Sequence, residues 1–268
     1  MSSAAGPPVP VPVPVTSGVG IDGCRGGWVV AVVTPGQPLR ARVITRIEAL
    51  DGLLAELRVE ASCPLIDMPI GLPVSGRRPL DTAAKALLGS KAASLFIIPP
   101  RPVLDALDYA EAKQLSRAST GSALSIQAWN LLPRVRELDL YLRRRLPEPP
   151  RLCESHPELV FTLLAGGPLP SKQTAAGTEA RIEVLRSAGL DPGPLLAAPP
   201  SHPGGRVAGH DLLDALVLAL VASLADSART RLAPPPGIDP LGLPMEMILP
   251  AVADGSDRSC LQGPEGSD

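Results

Sequence analysis

The stretch from Gly18 to Val33 reads GVGIDGCRGGWVVAVV, and it decides the fold. Gly18 to Asp22 has the pattern of a strand, and the glycine-rich run from Gly23 to Gly27 is typical of a turn. Trp28 to Val33 is rich in the β-branched residues that suit strands. The stretch therefore predicts a β-hairpin whose first strand ends in a carboxylate, that of Asp22.

The residues that follow predict an α/β fold. Leu39 to Ile47 has the pattern of a third strand, and Glu48 to Arg58 has leucines at helical spacing. Cys63 to Pro69 is a short apolar run that predicts a buried fourth strand, and Arg151 to Ser155 predicts a fifth. A strand reached through a helix usually lies parallel to an earlier strand, so we expect a mixed sheet with helices on both faces.

Helical segments fill most of the remaining chain. Residues 71–150 predict a mainly helical insertion between the fourth and fifth strands, with one helix capped by Asp81 and a second from about Asp105. Further predicted helices are Ser125–Leu146 with a kink at Pro133, Pro157–Ala165, Thr178–Ala188 and Asp211–Arg231. After the Pro234–Pro236 stop we expect only a short covering segment.

Composition limits the classes of function. The chain has 268 residues, a net charge of −2 and six aromatic residues, which argues against a surface that holds nucleic acid by charge and base stacking alone. Its four cysteines are scattered without a zinc-site spacing, and we expect reduced thiols. The start has no secretion-signal pattern and no run of eighteen apolar residues occurs, so we expect a soluble, cytoplasmic protein with no membrane partner.

The two ends differ from the middle. Residues 1–16 contain alternating valine and proline, which predicts an extended, unpaired and disordered tail. Residues 253–268 predict a second disordered tail. One domain is then expected over residues 17–252, because no clean linker divides that stretch.

Acidic residues end several of the predicted core elements. They are Asp22, Asp67 in LIDMP, Glu154 in LCES, and the Asp211 and Asp214 pair that opens the last helix. A buried carboxylate without a partner is costly, so several at one place need a compensating charge. Because neighbouring parallel strands lie about 4.8 Å apart, carboxylates at equivalent depths can share cations. Oxygen ligands without cysteine or histidine favour Mg²⁺ or Mn²⁺.

Each acid also has an ordinary structural interpretation. Asp22 can start the turn at Gly23, Asp67 can cap a loop, and Glu154 can pair with Arg151 or a lysine. Asp211 suits a helix N-cap, so Asp214, one turn further on, is the better ligand candidate of that pair. A shared site explains all of them together, whereas the structural interpretations need several independent coincidences.

These residues lie in motifs that resemble domain-of-unknown-function family 429 (DUF429), whose members are described as predicted RNase H-like nucleases. The motifs are GIDGCRGGW (20–28), IDMPIGL (66–72), ESHPE (154–158), Ser171-Lys172 with Gly177, DLLDA (211–215) and GLPME (242–246). One departure is His210, where relatives have a second acid. The resemblance implies an RNase H-like domain over residues 17–252, with a five-stranded mixed sheet of order 3-2-1-4-5.

The resemblance also implies roles for individual residues. Asp22, Asp67, Glu154 and Asp214 would be catalytic metal ligands, with Asp211 as a fifth. Beside them, three residues are candidates for substrate binding: Lys172 as a point charge for phosphate, Arg25 in the glycine-rich turn, and His156 as a proton shuttle. Solvent exposure of Lys172 and a hydrogen-bonded core role for His156 are the competing interpretations.

Three functions remain open at this point. The first is a nuclease that hydrolyses phosphodiester bonds with two Mg²⁺ or Mn²⁺ ions. The second is an actin-like nucleotide phosphohydrolase or kinase, since that class uses an Asp-x-Gly hairpin such as Asp22-Gly23-Cys24 around phosphates; no second hairpin of this kind is evident. The third is a non-catalytic module that binds nucleic acid or protein. The sequence does not distinguish DNA, RNA and small nucleotides as substrates.

Overall fold

The structure is a computed structural model that describes residues 11–60, 63–146, 152–235 and 237–251. The predicted tail over 253–268, residues 1–10 of the other tail, and Cys260 lie outside the described residues. Residues 11–16 form neither helix nor strand. The N–H groups of Val15 and Thr16 donate to the carbonyl of Ser223 at 3.0 and 3.1 Å. The prediction of an unpaired backbone up to Thr16 is therefore wrong for these two residues.

Groups of strands and groups of helices follow one another along the described chain. Its strands are β1 (Gly18–Cys24), β2 (Gly27–Val33), β3 (Arg40–Ile44), β4 (Leu65–Ile66), β5 (Cys153–Glu154), β6 (Ser201–His202), β7 (Gly205–Arg206), β8 (Arg229–Leu232) and β9 (Met247–Pro250). Its α-helices are α1 (Leu50–Glu56), α2 (Pro79–Leu88), α3 (Tyr109–Thr120), α4 (Ile126–Arg143), α5 (Pro157–Leu164), α6 (Ala175–Ser187), α7 (Gly193–Ala197) and α8 (Gly209–Ala222). Short 3₁₀ turns cover Ile47–Ala49, Gly89–Ser94, Arg101–Asp105 and Asp226–Ala228.

The main sheet is mixed, and within the described residues it has seven strands in the order β3-β2-β1-β4-β5-β9-β8. The hairpin β1–β2 and the pair β2–β3 are antiparallel, whereas β1, β4, β5 and β9 run parallel. The predicted α/β class and the predicted order of the first five strands are confirmed. The predicted number of strands is wrong, because β9 and β8 extend the sheet beyond β5.

The two additional strands come from segments that were given other structures. Residues up to Arg231 were predicted as one long helix, but α8 ends at Ala222 and β8 begins at Arg229. The helix ends where the Ser223 side chain donates back to the Leu220 carbonyl and the Ser223 carbonyl accepts from the N-terminal segment. The expected covering segment contains β9, which pairs with both β5 and β8.

Helices cover both faces of the sheet, and the sheet separates the core into two apolar clusters. On one face α8 packs closely on β1, where glycine is required: a Cβ on Gly18 would lie 2.2 Å from the Ala219 carbonyl oxygen, and one on Gly20 would lie 2.1 Å from that of Ala215. On the other face α4 contributes Leu132, Val135 and Leu138 to the cluster around Ile21 and Ile66. This close packing fixes the position of α8 relative to the end of β1.

The predicted helical insertion between the fourth and fifth strands is confirmed, with different helix starts. Asp81 lies in the first turn of α2, and Arg78 takes the N-cap position instead. The second helix is α3, which begins at Tyr109 with the Asp108 side chain accepting from the Glu111 N–H, so the prediction of a start near Asp105 is wrong. Pro133 lies inside α4, as predicted.

Cys63 and Cys153 form a disulfide, so the prediction of four reduced thiols is wrong. The physical reason is the neighbourhood of β4 and β5. Leu65 pairs in register with Cys153, and Cys63 lies two residues before it. The two Cα atoms are 6.2 Å apart, which is within the range that disulfides span. Cys24 is buried and free.

Candidate functional site

A cavity of about 210 Å³ lies at the carboxyl ends of β1, β4 and β5. In open α/β sheets this is the edge where ligands usually bind. Its polar lining includes Asp22, Asp67, Glu154, Lys172, His156, Arg78, Asp81 and Arg134. Its apolar wall includes Met68, Leu95, Phe96, Ile98 and Leu131. Predicted site residues from four separate parts of the sequence therefore meet at one cavity.

The strand register explains why Asp22 and Asp67 converge. Ile21 pairs with Ile66 across the parallel ladder, so the next residues, Asp22 and Asp67, stand side by side. The Asp67 N–H donates to the Ile21 carbonyl at 2.9 Å and continues that ladder. Side chains alternate along a strand, so Asp22 lies on the same face as Gly20, which is the face covered by α8.

The close packing of α8 brings two further acids to the same place. Asp211 and Asp214 lie in the first turns of α8, and the Asp214 side chain is almost fully buried. The interpretation of Asp211 as an N-cap is wrong, because α8 begins at Gly209 and its N-cap residue is Ala208. Instead, the Asp211 carboxylate lies 3.2 Å from Nε2 of His210.

Burial raises the pKa values of these four acids, and the charges of neighbouring acids raise those of Asp22 and Asp67 further. The pKa of Asp22 is raised well above its ordinary value, first by burial and then by the charges of Asp67, Asp214 and Asp211. Burial and the charge of Asp214 raise the pKa of Asp67 to about 7. The pKa values of Asp211 and Asp214 are also raised by burial. The four carboxylates thus form one electrostatic cluster that holds its negative charge poorly without a cation.

Lys172 supplies a positive charge to this cluster. Its Nζ lies 2.5 Å from Oδ2 of Asp214, whose side chain is 3% exposed. Burial lowers the pKa of Lys172, but the charges of Asp214, Asp22 and Asp67 outweigh that effect and raise it. The interpretation of Lys172 as a merely solvent-exposed lysine is therefore wrong, since its ammonium group contacts the acid cluster.

Glu154 lines the same cavity but belongs to a different set of contacts. It is in register with Ile66 rather than with Asp67, so it lies on the opposite face of the sheet from Asp22. Its Oε2 accepts from Arg78 at 2.6 Å and from the Ile70 N–H at 2.7 Å. Burial raises the pKa of Glu154 to about 7, and Arg78 opposes that shift. The prediction that Glu154 binds a metal stays a prediction. Its partner in the structure is Arg78, and the predicted partner Arg151 lies outside the described residues.

Arg78 is the centre of this second set of contacts. Its side chain is 1% exposed, and it also forms an ion pair with Asp81 at 3.2 Å. Sequence analysis missed Arg78 and Asp81. A basic Arg77-Arg78 pair usually indicates a solvated surface, and the two buried acids Glu154 and Asp81 explain why the second arginine lies inside the protein.

His156 is a half-buried, hydrogen-bonded residue. Its Nδ1 accepts from the Leu159 N–H at 3.3 Å, so the side chain caps the N-terminus of α5. Burial lowers the pKa of His156 to about 4, which keeps the ring neutral near neutral pH. These contacts agree with the core interpretation of His156, although the ring also lines the cavity.

The arginine that lines the cavity beside the glycine-rich turn is Arg134 of α4 rather than Arg25 of the turn itself. Arg25 is exposed and is not part of the cavity lining. Arg134 of α4 does line the cavity, donates to the Cys24 carbonyl, and lies over the Trp28 ring at 5.5 Å. No sequence pattern pointed to Arg134, because its position depends on how α4 crosses the sheet.

A comparison with protein-family models identifies the family of the chain. The model described as "Protein of unknown function (DUF429)" matches residues 20–237. The chain belongs to the DUF429 family. The DUF429 match includes Asp22, Asp67, Glu154, Lys172 and Asp214, and it stops before β9. Searches of curated proteins and of solved structures each gave no significant match.

The side chains of this DUF429 member suit a hard divalent cation only in part. In the described segments, no three histidine, cysteine or acidic side chains are close enough as placed to ligate one ion together. Mg²⁺, however, is commonly bound through one or two carboxylates and several waters rather than by a complete protein cage. Asp22 and Asp67, side by side at the end of β1 and β4, are such a pair.

The described helices give no indication of a membrane span. Among residues 11–60, 63–146, 152–235 and 237–251, no helix is both long enough and apolar enough to cross a bilayer.

Proposed function

We propose that this DUF429 protein is a metal-dependent nuclease that hydrolyses phosphodiester bonds at the cavity at the carboxyl ends of β1, β4 and β5, beside the acids of α8. The observation that carries the proposal is the meeting of Asp22, Asp67, Asp211 and Asp214 from three separate elements. Each of these carboxylates carries a raised pKa, and groups with such perturbed pKa values in a cleft are typical of functional sites.

The topology supports the proposal in a second way. The antiparallel β1–β2–β3 hairpins, followed by parallel β4 and β5 beside β1, agree with the RNase H-like sheet that the family resemblance implies. On this proposal β9 and β8 are additions to that sheet. The acids at the ends of β1 and β4 then occupy the places expected for catalytic carboxylates.

The donor atoms fit Mg²⁺ or Mn²⁺. Asp22 and Asp67 would hold the ion, because they are adjacent and at the same depth, with Asp22 buried and Asp67 half-buried. When bound, a divalent ion activates water and stabilises negative charge on the phosphate and on the leaving oxygen. It would also relieve the repulsion that raises the pKa values of the acid cluster.

Cationic side chains of the chain would bind the substrate. Lys172 lies at the cavity with its ammonium group against Asp214, and Arg134 lines the wall beside Gly23. Both can contact phosphate oxygens, Lys172 as a point charge and Arg134 through its planar guanidinium group. The apolar wall that contains Leu95 and Leu131 excludes water from one side, which strengthens these electrostatic contacts.

The test is a cleavage screen with Mg²⁺ and with Mn²⁺ over branched DNA, RNA–DNA hybrid, single-stranded DNA, single-stranded RNA and mononucleotides. Purified wild-type protein is expected to cleave at least one polynucleotide, and Asp22→Asn and Asp67→Asn are expected to lower the rate by at least a hundredfold while leaving the circular dichroism spectrum unchanged. Asp105→Asn, which changes an exposed aspartate, serves as the matched control and should retain full activity.

Two results would refute this proposal. One is cleavage that persists unchanged in Asp22→Asn and Asp67→Asn, since the activity would then arise elsewhere or from a contaminant. The other is hydrolysis of mononucleotides without cleavage of any polynucleotide, which would assign the chain to the nucleotide phosphohydrolases.

A further inference from the structure

The segment that carries Lys172 is held in a defined position. The Ser171 carbonyl accepts from the Thr174 N–H at 3.0 Å, and the Pro170 carbonyl accepts from Arg181 at 2.9 Å. Gly177 of α6 lies directly below: a Cβ there would lie 1.9 Å from the Ser171 carbonyl oxygen. The backbone before Lys172 is thus packed onto α6, and the lysine is directed toward α8.

The Lys172 ammonium group already occupies the acid cluster. Its 2.5 Å ion pair joins it to Asp214, whose carboxylate is buried, while the Lys172 side chain itself is 42% exposed. Three of the carboxylates attract this ammonium group, those of Asp214, Asp22 and Asp67. A divalent ion at Asp214 would have to displace the lysine or accept a positive charge beside it.

The ion pair at Asp214 favours one divalent ion rather than two. Four carboxylates contribute a formal charge of −4, from Asp22, Asp67, Asp211 and Asp214, and Lys172 contributes +1. One divalent ion would leave a formal charge of −1 and two would leave +1, so the contacts of the carboxylates, and not their summed charge, distinguish the two cases. The Asp22–Asp67 pair is free of ion pairs with arginine or lysine among the described residues, while Asp214 is engaged.

We propose that Lys172 takes the place of the second cation in this site, so that the chain binds a single divalent ion at Asp22 and Asp67. This inference rests on the proposed function, and it replaces the two-ion mechanism expected from the sequence. In it Lys172 balances the charge of Asp214 and presents the remaining ammonium hydrogens to a phosphate oxygen of the substrate. The divalent ion would then neutralise Asp22 and Asp67 at the strand ends, and Lys172 would neutralise Asp214 on α8.

The experiment counts bound Mn²⁺ ions on the metal-free full-length chain by titration, with free Mn²⁺ followed by electron paramagnetic resonance. Wild-type protein is expected to bind one ion. Lys172→Met is expected to bind two, because Asp214 is released to act as a ligand, and Lys172→Arg, which keeps the positive charge, is expected to bind one.

Two further variants test whether the effect belongs to this ion pair. The double variant Lys172→Met with Asp214→Asn should return to one ion, because the released ligand has been removed. It also avoids an unpaired buried carboxylate, so it should fold even if Lys172→Met alone does not, and the number of ions on wild-type protein then decides the inference. Lys91→Met is the matched control: Lys91 forms an ion pair with Glu158 at 3.7 Å outside the cavity lining, and its loss should leave one ion bound.

The outcomes separate this inference from the proposed function. Two ions on wild-type protein, or one ion on a folded Lys172→Met variant, would overturn the role of Lys172 while leaving a metal-dependent nuclease in place. Absence of bound Mn²⁺ from wild-type protein and from Lys172→Met would remove the metal centre, and both proposals would be rejected together.

Discussion

The acid cluster should destabilise the metal-free protein at neutral pH, and Asp67→Asn should relieve that cost. Burial and the charge of Asp214 raise the pKa of Asp67 from 3.8 to about 7. An acid whose pKa is raised on folding binds its proton more tightly in the folded than in the unfolded state. The free energy of unfolding therefore falls as the pH rises from about 4 to about 7, and it stays low above that range.

The magnitude follows from the size of the shift. A difference of about three pKa units, at 1.36 kcal/mol per unit, corresponds to about 4 kcal/mol as an upper value. Because solvent reaches part of the Asp67 side chain, screening reduces the expected effect to about 2 kcal/mol. Asparagine keeps the shape and removes the charge, so Asp67→Asn should be about 2 kcal/mol more stable than wild-type protein at pH 8 and equally stable at pH 4.

The assay is urea unfolding in EDTA at pH 4, 5, 6, 7 and 8, followed by circular dichroism. Wild-type stability should fall with pH, and the curve of Asp67→Asn should be flatter. The control Asp105→Asn should follow the wild-type curve, because that carboxylate is exposed. Mg²⁺ added at pH 8 should recover stability in wild-type protein and do less for Asp67→Asn.

A loss of stability in Asp67→Asn at pH 8 would refute this reasoning, since it would show that the charged form of Asp67 has a stabilising partner. A difference between the two proteins that does not change with pH would refute it as well, because the titration would then have no part in the effect.

The remaining predictions concern the packing and ion pairs that shape the site. Gly20→Ala should lower the free energy of unfolding by about 1–3 kcal/mol, because its Cβ would lie 2.1 Å from the Ala215 carbonyl oxygen. The control Gly52→Ala should not be destabilising, because a Cβ there meets nothing within 4 Å. Equal effects of the two substitutions in urea unfolding would contradict the packing argument. Arg78→Met should lower the free energy of unfolding by about 3–5 kcal/mol, because Glu154 and Asp81 lose their buried cation. The control Arg77→Met, at the exposed neighbouring residue, should change it little. Equal melting of the two variants in calorimetry would refute the role of Arg78.

The order of the first five strands could be predicted because their signals are local. The hairpin from Gly18 to Val33 shows a turn between two strands, and a helix before Cys63 implies a parallel return. The strands β8 and β9 could not be found in this way. Each has only four residues, and the first three residues of β8, Arg229 to Arg231, were included in the predicted helix Asp211–Arg231.

The acidic residues of the candidate site were predictable, but their contact partners and the arginines around them were not. Asp22, Asp67 and Asp214 could be chosen because core elements seldom end in carboxylates. The face of the sheet on which each acid lies could not be predicted. Glu154 is in register with Ile66 rather than with Asp67, which places it on the other face from Asp67, and the register across β4 and β5 has no local signal in the sequence. Arg78 and Arg134 depend on how the helical insertion folds over the sheet, which is set by long-range packing.

The bond between Cys63 and Cys153 makes the helical insertion a covalently closed ring. The two cysteines are separated by 90 positions in the sequence, and the segments that follow them carry Asp67 and Glu154. The insertion contains surface segments such as the one around Leu107, which is 91% exposed. A protease that cuts the insertion there would leave β4 and β5 joined by the disulfide. The two strands would then stay together, while the cut insertion could move away from the sheet.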